Sequence, residues 1–307
     1  MARDPGNLYE VSHEAPELDS ELVMLYYLDG FIDAGGAGRQ VAAHLLSTLE
    51  HTEVARFDVD SLLDYRSRRP AMIFTKDHWE SFDAPEIAVH LLADPAGKPF
   101  LLLNGLEPDR EWERFAAAVL SLSAQLKVRL AASFHGIPMG VPHTRPLGVT
   151  GHATKPELIE GYQPLVDRLQ VPGSATALIE LRMSEAGRDA VGFAVHVPHY
   201  LAHAAYPSAA LTLLGALERA TGLSLPSGDL PEAAQLTDAE IARQVADSED
   251  VTEVVRSLEQ QYDALMAGHD DLLGGQPDNM PTAEELGAQF ERFLAEQQQH
   301  GGEASDS

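Results

Sequence analysis

Leu22-Val-Met-Leu-Tyr-Tyr-Leu28 is a continuous apolar run of strand length, and Asp29-Gly-Phe-Ile-Asp-Ala-Gly-Gly-Ala-Gly38 follows it directly. Apolar residues at every position, rather than at alternate ones, predict a strand covered on both faces, as in a parallel sheet. Val41, Leu45, Leu46 and Leu49 then recur at helical spacing. Strand, glycine-rich turn and helix in that order open a βαβ unit. The turn fails the strict phosphate-binding patterns. Gly30 and Gly35 have P-loop spacing, but Gly36-Ala37 stands where Lys-Ser/Thr is needed, and no Gly-x-Gly-x-x-Gly occurs. Close packing of helix on strand accounts for the glycines; anion binding at the helix start is the other reading.

The same alternation continues outward. Short strands are predicted at Val54–Val59, Ala71–Thr75 and Ile87–Ala93, and a buried one at Lys98–Asn104. Gly105-Leu-Glu-Pro-Asp109 turns into a helix starting at Arg110, with Asp109 as its expected N-cap. Val128–Phe134 reads as another buried strand. His135 to Pro146 then carries three prolines, two glycines, two histidines and an arginine with no helical or strand period, and so reads as a rigid loop. Leu147–Gly151 is a short apolar piece, Ser174–Ala186 a helix, Ala190–Val197 a last strand, and Pro207–Ala220 a long apolar helix. Past Leu225 only helical stripes remain, including Val251, Val254, Val255, Leu258, Tyr262 and Leu265, and a final helix around Leu286 to Leu294. The expected organisation is an α/β domain over 1–225, an acidic helical extension over 226–300 and a disordered tail over 301–307.

Composition excludes several classes. The 307 residues are 44% hydrophobic, enough for a sizeable core, and contain no cysteine, so disulfides and thiolate chemistry are out. No apolar signal core or membrane-length run is visible, which gives a cytoplasmic protein as the expectation. A net charge of −27 argues against nucleic acid and anionic lipid as partners. From Leu236 to Ser307, 17 acidic residues face three arginines, so the extension is either a solvated helical appendage or an acidic arm for a basic partner.

Chemical motifs are sparse. His196, His199 and His203 have a spacing that one helix could align, but Pro198 interrupts it and no carboxylate is adjacent, so no metal and no cofactor are expected. Gly-x-Ser-x-Gly and His-Glu-x-x-His are both missing. A triad assembled from distant residues stays open. If the strand ends converge, Asp33, Glu107, His143 and Arg145 could form a polar cluster for an anion or carbonyl. Arg145 is equally expected to be neutralised by Asp33 or Glu107 in a structural pair.

Gly30-Phe-Ile-Asp-Ala-Gly35, Asn104-Gly-Leu-Glu-Pro-Asp109 with Trp112, Pro142-His-Thr-Arg-Pro146, and Val197-Pro-His-Tyr200 with Tyr206-Pro207 occur in this order. Together they resemble the proteasome assembly chaperone 2 family in its actinobacterial form, over roughly residues 20–225. The resemblance implies a phosphorylase-like three-layer α/β sandwich with a mostly parallel central sheet. It also implies self-association, with a trimer favoured, and descent shared with chaperones that help assemble the proteasome α-ring. The expected function is a non-enzymatic, oligomeric protein-binding factor of the assembly-chaperone type, with an unidentified protein partner. The alternative is a small-molecule-binding protein, or a hydrolase- or phosphorylase-like enzyme, working at the strand-end loops. Candidate ligand or partner residues are Asp33, Asn104, Glu107, His143, Arg145, His199 and Tyr200.

Overall fold

Strand β2 (Leu22–Asp29) explains the layering. Val23, Leu25 and Tyr27 enter one core and Leu22, Met24, Tyr26 and Leu28 the other, so every side chain of the run is covered. The computed structural model describes residues 4–12, 21–162 and 168–272. Its main sheet also contains β1 (Tyr9–Val11), β3 (His51–Phe57), β6 (Ile87–Ala93), β7 (Pro99–Leu106), β8 (Val128–Met139), β9 (Val149–Ala153) and β10 (Asp189–Pro198). The eight strands lie in the order β1-β3-β6-β7-β2-β8-β10-β9. Neighbours β7, β2, β8 and β10 run parallel, and antiparallel pairings close both flanks.

Helices α1 (Ala37–Thr48), α5 (Pro207–Thr221) and α6 (Leu230–Ala246) cover one face through Val41, Leu45, Leu213, Leu217 and Ile241. Helices α3 (Trp112–Gln125) and α4 (Ala175–Glu185) cover the other through Phe115, Val119, Ile179 and Met183. A short α2 (Val59–Leu62) follows β3, and α7 (Glu249–Leu272) ends the described chain. Past residue 225 the described residues are helical or irregular, as the switch of period predicts. No helix among the described residues is long and apolar enough to cross a membrane.

Several expectations need correction. The prolines after Phe134 do not end the strand: β8 runs on to Met139, paired with β10 through Met139 and Pro198. Beyond Ser133 it has no β2 residue beside it, so Pro138 lies where no second ladder needs its N–H. Strand β4 (Met72–Thr75) lies outside the main sheet and pairs only with β5 (His78–Phe82) in a separate hairpin. The polar pattern of β5 hid it, and β1 was hidden in the polar lead-in. Asp109 does not cap α3. Its carboxylate accepts the Asp64 N–H at 2.7 Å and pairs with Arg68 at 3.2 Å, and α3 starts at Trp112. The final helix near Leu286 and the tail at 301–307 lie outside the described residues.

The apolar surface of α5 is also spent within the chain, because Leu213, Leu214 and Leu217 are buried against α1, the sheet and α6. It is not free to meet a neighbouring subunit.

Two histidines in the central strands, His196 buried and His135 half-buried, make stability pH-dependent. Burial pushes both His135 and His196 down to about 4, with nearby His152 adding to the effect at His135. The unfolded chain titrates them near 6.5. It therefore takes up protons first, and the stability that the neutral histidines contribute is complete above about pH 6.5 and is lost as pH falls toward 4. Each histidine can contribute up to roughly 3 kcal/mol to this slope. Urea unfolding of His196→Gln should show a shallower loss of stability between pH 7 and pH 4.5 than the parent chain. Parallel curves would refute the assignment.

Candidate functional site

Because β2, β7, β8 and β10 are parallel, the loops that follow them emerge at one end of the sheet. Backbone bonds tie those loops together. Gly35 donates its N–H to Ala202 O at 2.8 Å, Tyr206 donates to Gly35 O at 2.9 Å, and Glu107 donates to Asp29 O at 2.9 Å. Arg68 adds a staple by donating to Asp29 O and Glu107 O. The strand ends converge, and His143 N–H, bonded to the Tyr200 hydroxyl at 2.9 Å, ties in the loop after β8.

The expected polar cluster is not present. Asp33 is fully engaged: Oδ1 accepts Gly38 N at 2.8 Å and Gly136 N at 2.9 Å, and Oδ2 accepts Arg39 N and Tyr27 OH, each at 3.0 Å. Glu107 is buried, and its Oε1 accepts the N–H of Ala175, the first residue of α4, at 2.7 Å. Burial pushes the Glu107 carboxyl up, against the opposing pull of that bond and of Arg68. Arg145 meets neither Asp33 nor Glu107. Its Nε and Nη2 grip both Asp263 carboxylate oxygens at 2.8 and 2.7 Å, and Nη1 reaches Glu259 at 3.3 Å. Both acids lie on α7, where a spacing of four residues puts them on one helix face. Tyr262 on the same helix donates to Pro146 O at 3.0 Å.

His143 and Tyr200 form a second unit. The tyrosine hydroxyl accepts His143 N–H at 2.9 Å and lies 2.7 Å from His143 Nδ1. A hydroxyl that accepts from the backbone is free to donate to Nδ1, which leaves Nε2 as the protonated ring nitrogen. Burial pushes the His143 imidazole down and the Tyr200 phenol up, so both stay neutral near pH 7. His199 stacks edge-on against Tyr200, with ring centres 5.4 Å apart.

Asn104 lies apart from both units. It lines a cleft of about 370 Å³ with Tyr27, Asp29, Arg39 and Leu46, and none of the other candidate residues lines that cleft. No sequence motif joins Asp29 and Arg39 to it, although they form an ion pair at 3.0 Å and both line it. Acidic residues four apart on α7 were the available signal for the Arg145 contact.

The loop motifs, their order and the sheet that carries them have a counterpart in a known family, whose sequence pattern matches residues 27–245. The chain belongs to the PAC2 family. It is similar to a Mycobacterium tuberculosis protein of unknown function at 47% identity and a TM-score of 0.82, over 88% of this chain and 93% of that one. A Corynebacterium glutamicum protein of unknown function follows at 35% identity and 0.81, over 84% and 98%. A proteasome-assembly chaperone homologue from M. tuberculosis gives 26% identity and 0.71, over 76% and 100%. No functionally curated protein matches the chain. The PAC2 match stops within α6, so the helix that grips Arg145 lies beyond it.

In this PAC2 protein, Asp33→Ala should strand three N–H donors and cost about 3 kcal/mol or more in urea unfolding. A loss below about 1 kcal/mol would show that the carboxylate is dispensable. Arg145→Ala should leave the core melting transition nearly unchanged but speed amide hydrogen exchange over 249–267. Unchanged exchange there would show that α7 is held by other contacts.

Proposed function

We propose that the chain is an oligomeric protein-binding factor of the assembly-chaperone type, working as a homotrimer. The observation that carries this reading is the β4–β5 hairpin. It exposes Met72, Ile73, Phe74, Trp79 and Phe82 together, with Trp79 at 63%. Phe74 and Trp79 face each other across the ribbon with ring centres 5.1 Å apart. A concentration of large apolar side chains on a projecting element marks a protein contact rather than a solvated surface. The hairpin region lacks the negative excess of the rest of the chain, which lowers the repulsion between copies. Arg66, Arg68, Arg69 and Lys76 balance Asp77, Glu80, Asp83 and Glu86 over residues 66–86, in a chain of net charge −27. A similar protein bearing the description of a proteasome-assembly chaperone homologue supports an assembly role.

The alternative, small-molecule binding at the strand ends, is supported by the cleft beside Asn104, whose volume suits a small ligand. The loop residues Asp33, Glu107 and Arg145 do not support it, since each is engaged within the chain.

An apolar contact should survive salt that would loosen an interface of ion pairs. Light scattering at micromolar protein is expected to give an oligomer mass in low and in high salt alike. Burial of a large apolar side chain contributes ~1.5–3 kcal/mol. The double change Phe74→Ser, Trp79→Ser should therefore weaken assembly by about 10²-fold or more. A monomer mass for the unaltered chain in both salts would end the reading.

A further inference from the structure

Helix α7 carries more apolar surface than the rest of the described chain covers. Val255 and Leu258 are buried, and Tyr262 donates its hydroxyl to Pro146 O at 3.0 Å. Val251 and Val254 are 42% and 51% exposed, and Met266 is 43% exposed. With a turn of about 100° per residue, Met266 prolongs the row of Val255, Leu258 and Tyr262, and Val251 and Val254 form the flank beside that row. Glu259 and Asp263, which hold Arg145, lie on the other flank. An exposed apolar row on a helix is a seat for the apolar side of a second amphipathic helix.

The sequence beyond α7 supplies such a helix. Leu286, Phe290, Phe293 and Leu294 recur at i, i+4, i+7 and i+8. Thr282-x-x-Glu285, just before them, is a capping box that fixes where the helix starts. Glu284, Glu285, Glu291, Arg292 and Glu296 fall on the sides of the wheel away from the apolar stripe. Between α7 and the capping box lie only the nine residues Leu273 to Pro281, punctuated by Gly274-Gly275 and Pro277. An αα-hairpin needs roughly 2–5 connecting residues, so this length lets the chain turn back on itself. At ~1.5 Å per residue, the 24 residues of α7 span ~36 Å, and residues 282–297 need about 24 Å of that length.

We infer that the exposed flank of α7 is the docking site of the chain's own residues 282–297, folded back antiparallel as an amphipathic helix with its Leu286–Leu294 stripe against Val254, Leu258 and Met266. Two arguments favour this occupant over a second copy of the chain. A short tether holds the segment at an effective concentration of about a millimolar, far above that of a second copy at micromolar protein. A net charge of −27 on each chain opposes the approach of another copy, whereas a tethered segment carries only a few of those charges. The segment is then a built-in cover, and any helical partner of α7 has to displace it. This docking does not rest on the hairpin or on the protein-binding reading.

The test crosslinks the full chain. It has no cysteine, so two introduced thiols are its only ones. Gln260 and Gln261 are both exposed on α7, but Gln261 borders Val254 and Gln260 points about 100° away from it. Gln261→Cys with Gln289→Cys, treated with a short bismaleimide, should crosslink within one chain about 10-fold faster or more than Gln260→Cys with Gln289→Cys. Denaturing gels and peptide mass spectrometry separate links within a chain from links between chains. Links between chains in their place would assign the flank to a second copy, and equal rates for the two pairs would mean that the segment is not docked; either result overturns the proposal. A second readout needs no thiol. Phe290→Asp with Phe293→Asp should speed peroxide oxidation of Met266 several-fold while the melting transition of the α/β domain stays in place. An unchanged rate of Met266 oxidation would overturn the proposal as well.

Discussion

The Asp33 carboxylate holds together the end of the molecule where the loops meet. One side chain accepts N–H groups from the start of α1 and from β8, and a hydroxyl from β2. A hydrogen bond to a charged acceptor contributes ~1.5–3 kcal/mol net, so this residue stabilises more of the loop layer than any ion pair at the surface does. It also explains why β8 can outrun β2. Where the ladder stops at Ser133, the next inward N–H that needs an acceptor, at Gly136, finds the Asp33 carboxylate instead of a strand. Gly136 has to be glycine, because a Cβ there would lie 2.1 Å from Ala34 O.

With Asp33 spent on the backbone, the polar groups at the strand ends divide into separate units. Glu107 fixes the start of α4, His143 pairs with Tyr200, and Arg145 belongs to α7. The acidic C-terminal segment is thus not wholly a solvated appendage: Glu259 and Asp263 find their counter-charge on the loop after β8. A strongly acidic chain gains from this placement, since each acid so paired no longer adds to the self-repulsion of the surface.

How far the sequence could be read follows from which interactions are local. β2, β6, β7 and β10 were legible because burial on both faces writes itself into consecutive apolar residues. α1, α4 and α5 were legible from their stripes. β8 beyond Phe134 was not, because proline and glycine signal a loop unless a distant carboxylate replaces the missing strand. β5 was not, because the hairpin is exposed and its His78, Glu80 and Ser81 carry no burial pattern. At the site, loop convergence followed from strand direction, but the partners of Arg145 did not: they lie more than 110 residues away on a helix whose acids look solvated in sequence.

The register of β8 sets where the sheet is closed and where it opens. β10 pairs with β8 over its whole length, so Gly136, which Asp33 anchors, and Ser133 sit on one rigid strand three residues apart. Their surroundings differ because β2 ends between them. Next to Ser133 the sheet is continuous from β2 to β9. Next to Gly136 the sheet is open on one side, and loops can enter. The hairpin and α7, which carry much of the exposed apolar surface, lie outside this frame and can change without moving either strand. A scaffold built this way lets contact surfaces vary while the interior stays fixed, which fits a family whose match ends before α7 begins.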